Sequence, residues 1–207
     1  MFKRALALEA PPTETFFLWG PRQVGKSTLL RSVYPEAPRI DLLRSDEFAR
    51  YARSPEILRT EVAADPTVRF ILVDEVQKVP ALLDEVHWLI ENRGIVFGLC
   101  GSSARKLRRG HANLLGGRAV RHELFGLVSH ELGDEFELER ALNHGYLPRH
   151  YSSPTPSRLV RSYVGDYLKE EIAAEGLVRN LPAFSTFLGS AALSDTELVS
   201  YSTFARD

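Results

Sequence analysis

Cysteine is almost missing from this sequence. Cys100 stands alone among 207 residues, which excludes an intramolecular disulfide and a cysteine metal cluster, and with them a stapled secreted fold. A reducing cytoplasm is the expected setting. No apolar run reaches the roughly 18 residues that cross a bilayer as a helix. The opening Met1-Phe2-Lys3-Arg4-Ala5-Leu6 breaks off before a signal-peptide core can form, so no membrane partner is expected. Excess charge is missing too: 26 basic residues face 27 acidic ones, and the balance gives no case for bulk nucleic-acid binding. The six histidines include no pair at metal-ligand spacing with supporting cysteines.

What is present is an ordinary globular composition, 44% apolar and 26% charged, of a length that predicts one domain plus a remainder. Residues 15–19, Thr-Phe-Phe-Leu-Trp, form an aromatic-rich run that stops at Gly20-Pro21, the pattern of a buried strand ending in a turn. A helix is predicted over 26–33, ended by Pro35. A short strand at 39–42, helices at 45–51 and 55–64, and a strongly apolar strand at 68–73 follow. Pro80 opens a helix to about residue 92, and 95–100 reads as another buried strand before Gly101-Ser102-Ser103. Strands alternating with helices predict a parallel α/β sheet covered on both faces. Charge then becomes blocky. Residues 101–122 hold six Lys or Arg and no acid, while 123–139 hold six acids and no Lys or Arg. We place a boundary near Ser129, giving a core over 1–128 and a helical region over 129–207, with long helices expected at 156–175 and 181–192.

Gly20-Pro21-Arg22-Gln23-Val24-Gly25-Lys26-Ser27 matches G-x-x-x-x-G-K-[ST], a pattern that arises by chance in well under about one in a hundred chains of this size. The residue types follow from the task. Two glycines let a loop turn its backbone N–H groups inward around phosphate oxygens, a lysine reaches the terminal phosphates, and a serine hydroxyl coordinates Mg2+. The helix amino terminus adds partial positive charge. Asp74 ends an apolar strand expected in the same sheet, which brings a carboxylate near the metal, and the adjacent Glu75 is placed to deprotonate an attacking water. Such a pair suits hydrolysis of ATP better than transfer to a small molecule. No lysine has an aspartate two residues on, so the guanine-reading motif is absent.

These strings, with Thr28, Leu72-Val73-Asp74-Glu75-Val76-Gln77-Lys78-Val79-Pro80 and Gly101-Ser102-Ser103-Ala104-Arg105-Lys106-Leu107, resemble a family of prokaryotic AAA+-type ATP-binding proteins that usually carry a carboxy-terminal domain of unknown function. The match continues through Asn113-Leu114-Leu115-Gly116-Gly117-Arg118-Ala119, Gly145-Tyr146-Leu147-Pro148 and Tyr167-Leu168-Lys169-Glu170-Glu171-Ile172 to Arg179-Asn180. The resemblance implies an ATPase core with ATP and Mg2+ as ligands, in which the Ser102 strand lies between the P-loop and Asp74 strands. It puts residues 20–28 on nucleotide, Ser27 and Asp74 on metal, and Ser102 at a polar sensor position, with Ser103 the alternative bearer. Arg118 falls at the family's Gly-Arg position and is the candidate arginine finger, often supplied by a neighbouring subunit, which implies a homo-oligomer.

Other readings stay open. The serine pair could cap a turn, Arg118 could be a solvated arginine, and Arg105, Lys106, Arg108, Arg109 and Arg121 could form a nucleic-acid patch, though no aromatic residue between 101 and 122 offers a base a stacking partner. A nucleotide-binding switch with negligible turnover and a small-molecule kinase are the competing functions. Cys100 reads as a core residue, and Glu170 and Glu171 as a solvated helix face. Residues 200–207 resemble the start of a helix-turn-helix-like segment leading into the family's carboxy-terminal domain, so the chain is expected to be a truncated member.

Overall fold

The computed structural model describes residues 2–102, 115–167 and 180–194, with positions 172 and 178. Two compact units are present, Met1–Ser153 and Pro154–Asp207.

The first unit is built on a five-stranded, wholly parallel sheet in the order β2-β3-β4-β1-β5. β1 (Phe16–Trp19) leads through the glycine loop into α1 (Lys26–Val33). β2 (Arg39–Asp41), α2 (Ser45–Arg53), α3 (Ile57–Ala64) and β3 (Phe70–Asp74) follow. A 3-10 turn over Val76–Lys78 precedes α4 (Leu82–Arg93), which ends in a left-handed Gly94 whose N–H bonds the Ile90 carbonyl at 3.2 Å. β4 (Val96–Gly101) and β5 (Val120–Glu123) complete the sheet. Three short helices close the unit: α5 (Ser129–Leu132), α6 (Leu138–His144) and α7 (Pro148–Tyr151). The expected α/β architecture is therefore the observed one, and β4 lies between β1 and β3 as the resemblance implies.

Strand alternation explains the two main cores. Phe17 and Trp19 on β1, Ile71 and Val73 on β3, and Phe97 and Leu99 on β4 face α3 and α4, while Phe16, Leu18, Leu72 and Cys100 face α1. Each fully buried side chain of this size contributes about 1.5–3 kcal/mol. Gly98 is the close point of the sheet, since a Cβ there would lie 2.5 Å from Leu72 Cδ2 and 2.8 Å from Phe16 Cζ. β5 was not expected from sequence. Its residues, Val120-Arg121-His122-Glu123, are mostly exposed and three of the four are polar, so an edge strand left no apolar run to read.

The second unit contains α8 (Pro156–Tyr167) and α9 (Leu181–Leu193), the latter capped by Asn180, whose Oδ1 accepts from the Ala183 N–H at 3.0 Å. The rest of the helix expected to residue 175, apart from position 172, and the segment 200–207 lie outside the described residues. So do Ser103 and the basic residues Arg105, Lys106, Arg108 and Arg109. Among the described residues no helix is long and apolar enough to cross a membrane.

Candidate nucleotide-binding site

The carboxyl ends of β1, β4 and β3 lie side by side, with Trp19 paired to Gly101 and Val73 to Leu99. All the loops that carry the motif residues leave from this edge, as expected where a parallel sheet presents its strand ends to a ligand. Gly20 opens the phosphate loop where the chain after β5 crosses it, and a Cβ at this position would stand 2.0 Å from the Leu124 carbonyl oxygen. Only glycine fits there. Gln23 and Gly25 take positive φ values of 65° and 94°, which turn successive peptide groups and make the concave N–H surface that anions occupy. Pro21, Arg22 and Gln23 form the outer part of the loop. Val24 is fully buried beneath it, and Ser27 and Thr28 sit in the first turn of α1.

Lys26 is buried and donates from Nζ to the carbonyls of Gly20 at 2.8 Å and Pro21 at 2.9 Å. Its ammonium thus rests inside the curve of the loop. Asp74, at the end of β3, is 5% exposed, and its Oδ1 has no hydrogen-bond partner among the described residues. A buried carboxylate oxygen without a donor is costly unless a cation supplies the missing charge. With the Ser27 hydroxyl on α1, this oxygen-only donor set suits a hard ion such as Mg2+.

Glu75 follows in a left-handed conformation, φ 58°. Burial pushes its pKa up, opposed by the Gln77 amide and the charge of Lys26. The Gln77 side-chain amide donates to the Glu75 carboxylate and, at 3.2 Å, to Ser102 Oγ. Lys26, Ser27, Asp74, Glu75 and Ser102 are therefore gathered at one sheet edge. The Cys100 thiol lies in the strand beneath them, and burial followed by the nearby Asp74 charge raises its pKa well above the usual thiol value. It is a core residue.

Arg118 is not part of this cluster. Register places Val120 beside Phe16 and Glu123 beside Trp19, so Arg118 precedes β5 at the opposite end of the sheet, five residues at roughly 3.3 Å or about 16 Å below the loop. There its guanidinium pairs with Glu91 of α4. Arg121, from the basic stretch, pairs with Glu123.

Two residues were not singled out from sequence. Arg4 donates to the Val24 carbonyl at 2.6 Å, to the Phe125 carbonyl at 2.7 Å, and to Glu131 at 2.9 Å, with both charged side chains almost fully enclosed. Gln77 is the other. Neither a lone arginine nor a glutamine in a turn carries a spacing that marks it. Beside the loop, a cavity of about 350 Å³ is lined by Phe2, Arg4, Val24, Thr28, Leu29 and Pro148 and is predominantly apolar.

Sheet order, glycine loop and paired acidic residues together define a P-loop protein of the AAA+ type. A family model described as AAA domain matches residues 12–133, more than half of the chain, and the chain belongs to that ATP-binding family. Among solved structures it is similar to the Walker-type ATPase PABY2304 of Pyrococcus abyssi, with a TM-score of 0.53 and 14% identity over 92% of this chain and 82% of the other. Domain III of the replication initiation protein DnaA from Thermotoga maritima gives a TM-score of 0.39 and 12% identity over 89% and 79% of the two chains. At these identities the first likeness is one of fold. No curated protein matches the sequence.

Proposed function

We propose that the chain binds ATP together with Mg2+ and hydrolyses it at the edge formed by β1, β3 and β4. The observation that carries this reading is the enclosed Asp74 carboxylate, with an oxygen that has no partner among the described residues, at the same edge as the lysine curled inside the glycine loop. Ser27 and Asp74 would hold the metal, which when bound neutralises charge on the phosphate oxygens. Lys26 exchanges two carbonyl partners for phosphate oxygens, and the backbone N–H groups of the loop over residues 20–28, Pro21 excepted, take the remaining charge. Glu75 accepts the proton of the attacking water. Its enclosure makes the ionised carboxylate a better proton acceptor than an exposed one. Ser102 donates its hydroxyl hydrogen to the terminal phosphate or the water.

The apolar cavity beside Thr28 has the character needed for the base of the nucleotide. Pro148 at its wall supports assigning α5 to α7 as the start of a lid.

Arg118 serves as a finger only toward another copy, because its own loop is at the far end of the sheet. The same distance favours a second reading for the isolated chain, a nucleotide-binding switch with little turnover. The two part on whether turnover depends on assembly.

Equilibrium nucleotide binding and phosphate release in two variants test the first reading. Lys26→Ala should abolish ATP binding, whereas Glu75→Gln should bind normally and lose turnover by roughly a hundredfold or more. Equal ATP affinity in Lys26→Ala and the parent would overturn it.

A further inference from the structure

Gln77 is a polar residue that the fold encloses at some cost. It is 8% exposed, and its Oε1 is buried without a hydrogen-bond partner among the described residues, where an apolar side chain of the same size would leave no acceptor unpaired. Two features of the backbone exist to accommodate it. Glu75 adopts its left-handed conformation and begins a tight turn closed by the Lys78 N–H on the Glu75 carbonyl at 2.9 Å. The turn folds residue 77 back over residue 75. Gly101, at the end of β4, leaves the space in which the amide lies, for a Cβ there would be 2.2 Å from Gln77 Oε1.

We propose that Gln77 is a positioning residue that joins the Glu75 carboxylate to the Ser102 hydroxyl, so that contact of Ser102 with the terminal phosphate is transmitted to the base. The proposal rests on the hydrolytic reading above. A side-chain amide nitrogen carries two hydrogens, and Gln77 spends one on Glu75 and one on Ser102. Because Ser102 Oγ accepts from Gln77, its own hydrogen points elsewhere and is available to a phosphate oxygen. A serine drawn toward phosphate shifts the amide, and the amide shifts the carboxylate. Unlike a residue that merely ties the turn to β4, such a joint affects the chemical step and leaves nucleotide affinity alone.

The test uses the full chain and measures ATP affinity, kcat and KM in Gln77→Met, Ser102→Ala, the double variant and Glu75→Gln. Gln77→Met should lower kcat roughly ten- to a hundredfold with ATP affinity unchanged, and the double variant should be no slower than the slower single one. Gln77→Asn keeps the amide but is one methylene too short to reach both partners, and it should show the same loss where Met is not tolerated. Parental kcat in Gln77→Met beside an inactive Glu75→Gln, or losses that multiply in the double variant, would overturn the proposal. Parental turnover in Glu75→Gln would instead overturn the assignment of the base. A readout independent of turnover is the fluorescence of Trp19, whose ring borders Gly101, in a Trp88→Phe background. ATP and ADP should give different Trp19 signals, and Gln77→Met should erase the difference. A difference that survives the substitution would also sink the proposal.

Discussion

Arg4 controls the direction of a peptide group it does not belong to. A trans peptide points its C=O and N–H in opposite directions, so holding the Val24 carbonyl at 2.6 Å turns the Gly25 N–H away from Arg4. Glu131 fixes Arg4 in turn and also accepts the Ala5 N–H at 2.7 Å and the Val128 N–H at 3.2 Å. Arg4→Met should weaken ATP binding and, by leaving Glu131 with its two backbone donors but no countercharge, cost about 1–3 kcal/mol of stability. Urea unfolding and nucleotide titration of the same variant check both effects. Burial works to raise the Glu131 pKa, but the Ala5 amide, the Arg4 guanidinium and the Val128 amide outweigh it and hold the carboxyl below the ordinary 4.5. The unfolded chain therefore takes up this proton first. The resulting stabilisation is complete above the ordinary value and is lost as pH falls through the lower folded one. Glu131→Gln should reduce stability near neutrality and flatten its decline below pH 4.5. Lys26 and Asp74 were legible in the sequence because their chemistry fixes a spacing. Arg4 and Gln77 were not, because their partners lie 20 to 127 residues away or in a turn whose geometry no residue type announces.

At the scale of elements, β4 bears the tightest constraint. It lies between the two strands that carry the loop and the acidic pair, and Gly98 allows Phe16, Phe70 and Leu72 to close over it. Gly98→Ala should destabilise the unit by about 1–3 kcal/mol through overpacking, seen as a lower unfolding midpoint, with nucleotide affinity unchanged under conditions where it stays folded. Two elements were readable to within two residues, the helix α1 at Lys26–Val33, exposed at Thr28, Arg31 and Ser32, and the enclosed strand β3 at Phe70–Asp74. Gly25 and Pro35 bracket the first, and a continuous apolar run marks the second. β5 escaped because an edge strand needs no apolar run, and its pairing with β1 is set by a neighbour distant in sequence.

For the whole molecule, the separation of Arg118 from the phosphate loop makes turnover a property of assembly on the proposed reading. Phosphate release per chain should rise steeply with protein concentration in the parent and stay low and flat in Arg118→Ala. Equal release per chain at every concentration would leave Arg118 with its Glu91 pairing alone. The strand order behind this geometry came from family resemblance, since composition and periodicity say which segments are strands but not which lie side by side. The opposed ends of β5 also set a counting rule. A contact that places one copy's Arg118 at the next copy's loop joins two different surfaces, head to tail. An open row of n copies then has n − 1 complete sites and a closed ring has n, so closing the ring adds a working site without adding a chain.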